Sequence, residues 1–293
     1  MSSENQTVLG VVQFTCSDDP QENIATAERL VRQAAAQGAN IVLVQELFSG
    51  LYFCLEENPV HFARAHTLEE DPAVGAMRAL ARELGVVIPV SFFERRNQAF
   101  YNSLAMVDDQ GAIMGLYRKS HIPDGPGYSE KFYFHPGDTG FKVWQTRFGK
   151  IGCGICWDQW FPEAARAMVL QGAEFLLYPT AIGSEPSQPD IDSSKQWRTA
   201  QQGHAASNMV PVAAANRTGT QTLSGVTQSF YGNSFIAGPD GQIVASADRD
   251  GEAVLVARFD RKVMADQRAF WGLFRDRRTD LYDVLATADG GMS

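Results

Sequence analysis

The chain has 293 residues, 44% of them apolar, with a net charge of −9 and four cysteines. That length suits one large domain or two small ones with ample material for a core, and the acidic balance argues against nucleic acid as a partner. Four cysteines do not make a disulfide framework and no stretch approaches the length of a membrane span, so a cytoplasmic protein without a membrane partner is expected.

The first ten residues, MSSENQTVLG, are polar and lack the apolar run of a signal peptide. A β-rich apolar run at 8–15 predicts a buried strand. A helical pattern follows at 21–37, with Pro20 at its start and Gly38 as its stop. Residues 41–45 predict a second strand, followed directly by Glu46. An amphipathic helix is expected at 74–84 and a strand at 86–93. Strands at 102–107 and 112–117 flank Asp109-Gln110-Gly111, a hairpin signal, and Lys119 comes just after. Residues 118–140 read as loop.

A strand at 141–146 turns into the stretch KIGCGICWDQWFPEAAR, residues 150–166. Its alternating glycines mark close backbone approach within a buried strand that ends at Cys156. Pro162 and Glu163 then open a helix. Cys156 is thus expected in a short bend, partly open and near free N–H groups, a setting that favours a thiolate. Further strands are expected at 175–178 and 210–215, with a Ser-, Pro- and Asp-rich loop at 183–194 and a helix at 196–208. A hairpin at 233–247, a strand at 253–259 and a helix at 261–269 complete the pattern, and the polar tail from 286 should fray. No linker or repeat divides the chain, so one domain over 1–293, with its core at about 8–274, is expected. About 12 strands by this reading are too many for one open sheet; two packed sheets with helix layers on both outer faces would house them.

Glu46, Lys119 and Cys156 share one placement, each following a strand. Together they supply an acyl-transfer set. Cys156 is the nucleophile, and Glu46 takes its proton and later activates water. Lys119 stabilises the oxyanion, with the backbone N–H of Trp157 as a second donor. Asp124 lies five residues beyond Lys119, in the loop IPDGPGY, where it either caps a turn or presents a carboxylate at the pocket mouth.

Three segments carry a resemblance: VQELF (44–48), YRKSHIP (117–123) and GICWDQWFPEAAR (154–166) look like the three signatures of the nitrilase superfamily of carbon-nitrogen hydrolases. The match runs from about 8 to 274, and Gln45 stands where many members carry proline. The resemblance implies an α/β fold, a four-layer α-β-β-α sandwich of two mixed sheets. It assigns Glu46, Lys119 and Cys156 as a catalytic triad and Glu130 as a glutamate that orients Lys119 or the substrate. It implies no metal and no cofactor, and a homo-oligomer built from dimers. The strings RKSHIPDGPGYSEKFYF and YPTAIGSEP resemble one branch, the N-carbamoylputrescine amidases. That branch implies hydrolysis of a small cationic carbamoyl substrate to putrescine, carbon dioxide and ammonia in polyamine biosynthesis, with Asp124 holding the cationic end. The alternative is another small N-carbamoyl or amide substrate.

Two competing readings remain open. Cys153 and Cys156 form a C-x-x-C, which can serve redox or metal chemistry. Cys153 inside a strand should face away from Cys156 and pack in the core, and a structural zinc would need two further ligands. A binding protein on the same fold is the non-enzymatic reading.

Overall fold

The computed structural model describes residues 5–291; the outermost parts of the two polar ends, residues 1–4 and 292–293, lie outside the described residues. The first half of the chain contains β1 (Gln6–Gln13), α1 (Pro20–Ala36), β2 (Ile41–Leu43), α2 (Pro72–Leu84), β3 (Ile88–Arg96), β4 (Ala99–Val107) and β5 (Ile113–Arg118). The second half contains α3 (Glu130–Tyr133), β6 (Lys142–Thr146), β7 (Gly149–Cys153), α4 (Pro162–Leu170), β8 (Phe175–Thr180) and α5 (Ser194–Asn208). It continues with β9 (Val212–Asn216), β10 (Thr220–Leu223), β11 (Val226–Ser229), β12 (Phe235–Ala237), β13 (Ile243–Ser246), β14 (Ala253–Asp260) and α6 (Arg261–Trp271).

Two mixed sheets face each other. One runs β14-β1-β2 and continues through a parallel bridge between Ile41 and Val87 into β3-β4-β5. The other has the order β13-β12-β9-β8-β7-β6, with β7, β8 and β9 parallel and the rest antiparallel. Strand alternation distributes the side chains between layers. In β1, Val8 and Val12 pack outward on Ile24, Leu30 and Val31 of α1 and Met77 and Leu80 of α2. Leu9 and Val11 pack inward, with Ile151, Cys153, Phe175 and Leu177 of the opposing sheet in the same layer. The outer face of that second sheet carries Leu176, Val212 and Phe235 against Met168 of α4 and Trp197 of α5. The result is the helix–sheet–sheet–helix sandwich expected.

Local chemistry explains the helix ends. Asp19 and Asp71 cap α1 and α2 by accepting from the N–H groups of Gln21 and Val74, each preceding a proline at the first helical position. Gly85 ends α2 in the left-handed conformation, φ +67°.

Three differences from the expected elements bear on the site. There are fourteen strands among the described residues, because β10 and β11 form a polar hairpin turned by Ser224 and Gly225. The segment after β5 contains the short helix α3. The central strand β7 stops at Cys153, three residues before Cys156, which instead opens a 3-10 turn, Cys156–Trp160. Strand alternation therefore does not relate the two thiols, and both pack in the layer between the sheets. The glycines do mark close approach: a Cβ on Gly152 would lie 3.0 Å from Met168 Cβ, and one on Gly154 would lie 3.0 Å from Asp158 Cβ.

Candidate active site

Glu46, Lys119 and Cys156 converge at one end of the sandwich, where β2, β5 and β7 deliver their chain ends. The ammonium of Lys119 sits between two carboxylates. Its Nζ donates to Glu46 Oε1 at 2.9 Å and to both oxygens of Glu130 at 2.7 and 2.9 Å. All three groups are fully buried. Glu130 is therefore not a surface charge; α3 turns it inward, and Tyr52 Oη donates to its Oε1 at 2.5 Å.

Asn102 links two of these groups. Its Nδ2 donates to Glu46 Oε1 at 2.7 Å, and its main-chain carbonyl accepts from the N–H of Lys119 at 2.9 Å. With Oε1 doubly occupied, the buried Oε2 of Glu46 has no partner among the described residues. An unpartnered buried carboxylate oxygen is costly, and its lone pair is open to a proton donor.

The electrostatics follow from burial. Desolvation works against the Lys119 charge, but Glu130 and Glu46 outweigh it and hold the ammonium well above its ordinary range. Burial pushes the Glu130 carboxyl up to about 7, with Lys119 opposing and Glu46 reinforcing the rise. Cys156 is 6% exposed. Burial and the nearby Glu46 carboxylate push its thiol well above the usual range, while Lys119 and a hydrogen bond from the Ala181 N–H pull it down by less. The expectation of a partly open, ready-made thiolate is thus corrected. At rest Cys156 is a neutral, buried thiol, which could act as a nucleophile only with a base beside it.

Cys156 adopts φ +42°, uncommon for a residue with a side chain and strained by about 1–2 kcal/mol. The turn that holds it is overdetermined. The buried carboxylate of Asp158 accepts from the N–H of Ile155 (2.9 Å), Tyr117 Oη (2.7 Å), the N–H of His121 (2.9 Å) and His121 Nδ1 (2.7 Å). This ties the Cys156 turn to the segment that follows Lys119. From the other side, α5 grips Gln159: Trp197 Nε1 donates to its Oε1 at 2.6 Å and Gln201 Nε2 to its carbonyl at 2.7 Å.

A cavity of about 330 Å³ opens onto Cys156. Trp157 and Trp160 form one wall, Tyr128 and Ile182 line it, and Asp124 and Glu185 contribute carboxylates. None of the lining residues is basic. Asp124 is exposed, and its Oδ1 accepts from the N–H of Gly125 at 3.0 Å. It therefore caps its own turn and lines the cavity as well. Glu185 is half-buried, and burial raises its carboxyl. Of the other aromatics, Tyr133 and Phe134 pack in a buried cluster with Phe53 and Phe93, whereas Phe132 is partly exposed.

Sequence reasoning did not single out Asn102, Tyr52, Asp158, Glu185 or Arg217. Asp158 lies inside the quoted motif and Glu185 inside the loop string YPTAIGSEP, so proximity to the motif was a usable signal for these two. The four cysteines are free thiols, and among the described residues no group of three or more His, Cys, Asp or Glu is arranged to hold a metal ion.

A buried thiol beside an unpartnered carboxylate oxygen and a lysine ammonium is the equipment of a C–N bond hydrolase. Residues 8–269 match the carbon-nitrogen hydrolase family, and the chain belongs to it; it is an amide-hydrolysing enzyme. It is 60% identical to N-carbamoylputrescine amidase from Arabidopsis thaliana over 98% of this chain and 97% of that one. It is also 54% identical to citrullinase from Francisella tularensis, over 94% and 97% respectively. Among solved structures, a carbon-nitrogen hydrolase from Helicobacter pylori G27 superposes with a TM-score of 0.89 at 39% identity, covering 97% of this chain and 99% of that one. No helix among the described residues is long and apolar enough to cross a membrane.

Proposed function

We propose that this amidohydrolase converts N-carbamoylputrescine and water to putrescine, carbon dioxide and ammonia, with Cys156 as nucleophile, Glu46 as general base and acid, and Lys119 as electrostatic stabiliser. Oε2 of Glu46 takes the thiol proton as Sγ attacks the ureido carbon. The oxyanion forms beside the Lys119 ammonium and the Trp157 N–H. Glu46 returns the proton to the departing ammonia, leaving a carbamoyl thioester on Cys156. Glu46 then deprotonates water, which displaces the thiol and releases a carbamic acid. That acid loses carbon dioxide to give the free amine. Glu130 keeps Lys119 in place through two hydrogen bonds.

The observation that carries the choice of substrate is the cavity wall, which bears two carboxylates and no basic residue. A chain end bearing an ammonium fits this wall, and an end bearing a carboxylate does not. The similarity to N-carbamoylputrescine amidases supports the same reading. Citrulline is a second reading, favoured by the similarity to citrullinase; it shares the ureido group and an ammonium but adds a carboxylate that this wall does not pair. Asp124 and the less exposed Glu185 are assigned to the ammonium. The test is ammonia release from N-carbamoylputrescine, citrulline, a neutral N-carbamoyl alkylamine, an anionic N-carbamoyl amino acid and a nitrile. The reading expects N-carbamoylputrescine to have the highest kcat/KM, and a clear preference for citrulline or a nitrile overturns it.

One domain over 1–293, a cytoplasmic location and assembly through dimers complete the reading. Free thiols throughout support the location. Phe270 and Trp271, 85% and 65% exposed on α6, support association; sedimentation of a Trp271→Lys variant tests it.

A further inference from the structure

Two carboxylates share one lysine in the site, so with both ionised Glu46, Glu130 and Lys119 together leave one negative charge in a fully buried place. Burying an uncompensated charge is expensive, and a nearby compensating cation is the usual remedy. One more fully buried cation lies next to them: Arg217, at the end of β9.

Arg217 forms no ion pair among the described residues. Its Nη2 donates to the carbonyls of Glu46 (2.9 Å) and Leu47 (3.0 Å), and its Nη1 donates to the carbonyl of Gly50 at 3.3 Å. Leu47 adopts φ +46°, and this left-handed residue lets two successive carbonyls converge on one nitrogen. The guanidinium also lies over the rings of Tyr52 and Phe230, with centroids at 5.6 and 5.3 Å. The same Tyr52 donates its hydroxyl to Glu130. Arg217 thus touches the main chain of one glutamate and the ring whose hydroxyl holds the other. Its other titratable neighbours are the buried thiols of Cys16 and Cys54. Cys54 feels all four charges: burial raises its thiol, Glu130 and Glu46 push the same way, and Lys119 and Arg217 oppose them. At Cys16, burial raises the thiol and Arg217 lowers it.

We propose that Arg217 is a positioning residue and the fourth charge of the hydrolytic site. Its fork fixes the strained turn that presents Glu46, and its charge offsets the surplus negative charge of the buried set. The proposal rests on the reading of Glu46 as the base. A lysine cannot reproduce the fork, and a glutamine cannot reproduce the charge, so the two functions separate by substitution.

The experiment is the pH dependence of kcat and kcat/KM for full-length wild type, Arg217→Lys, Arg217→Gln, Glu130→Gln and the double variant Arg217→Gln/Glu130→Gln, each checked for folding by circular dichroism. Arg217→Gln is expected to move the acid limb up by about one pH unit. Arg217→Lys should leave the acid limb in place and lower kcat about tenfold or more through the misplaced turn, with KM nearly unchanged. The double variant is electrically neutral again, so its acid limb should return toward the wild-type position. A folded Arg217→Gln with an unmoved acid limb overturns the proposal, as does a limb that moves equally in Arg217→Lys. If Arg217→Gln alone does not fold, the double variant should, and its failure to fold while Glu130→Gln folds also overturns the proposal. Full turnover in Glu46→Gln would instead refute the underlying assignment of the base.

Discussion

Lys119 engages one oxygen of Glu46, Oε1, and the other has no partner among the described residues. If Glu46 is the general base, as proposed, this asymmetry leaves one oxygen anchored and the other free to accept and return a proton. Glu46→Gln would then remove the base and keep the shape. Lys119→Ala removes the stabilising charge and also leaves Glu130 buried without its cation. Each variant is expected to lose about a hundredfold or more in kcat, the lower range for a general base or an oxyanion donor. Steady-state ammonia release measures it, and near-normal kcat in either variant contradicts the assignment.

The two cavity carboxylates should contribute unequally to substrate choice. Glu185 is half-buried, where a charge-assisted hydrogen bond is screened less; Asp124 is exposed and already accepts from Gly125. Glu185→Gln is expected to raise KM for N-carbamoylputrescine about tenfold, and Asp124→Asn about threefold. Neither should change KM for a neutral N-carbamoyl alkylamine by as much. Equal effects on both substrates would show that these residues shape the loop and do not read charge.

The buried thiols set a pH limit on stability. Cys16, Cys54, Cys153 and Cys156 are all raised above the ordinary thiol value of 9.0, with burial as the first cause. Above that value the unfolded chain releases these protons while the folded chain keeps them. The unfolded state then binds fewer protons, so stability falls as pH rises. Urea unfolding under reducing conditions should show a lower midpoint at about pH 10 than at about pH 8, and Cys153→Ala, with one buried thiol fewer, should show a smaller drop. An unchanged difference in Cys153→Ala contradicts this account.

The fold and the placement of Glu46, Lys119 and Cys156 at strand ends are legible in the sequence because their signals are local. Continuous apolar runs mark β1, β8 and β9, and Glu46, Lys119 and Cys156 each stand within a few residues of a strand end. The supporting residues were not legible because their partners are remote. Asn102 meets Glu46 across 56 positions, Tyr52 meets Glu130 across 78, and Arg217 meets Glu46 across 171. Nothing in the residues around Asn102 or Arg217 marks those pairings. The burial of Cys156 is not legible for a related reason. Its exposure depends on how α5 and the segment after Lys119 close over the turn, which no local pattern encodes. The β10–β11 hairpin escaped notice because its strands are four residues each, rich in Thr, Gln and Ser, without the alternation that marks a half-buried strand.

The account stands on Cys156 as the nucleophile, and the most direct measurement is ammonia release from N-carbamoylputrescine by Cys156→Ala and Cys153→Ala side by side. Both thiols are buried in the same layer, so the two variants remove similar atoms from similar surroundings. Cys156→Ala is expected to show no turnover above background, and Cys153→Ala most of the wild-type rate. Turnover that survives in a folded Cys156→Ala would contradict it.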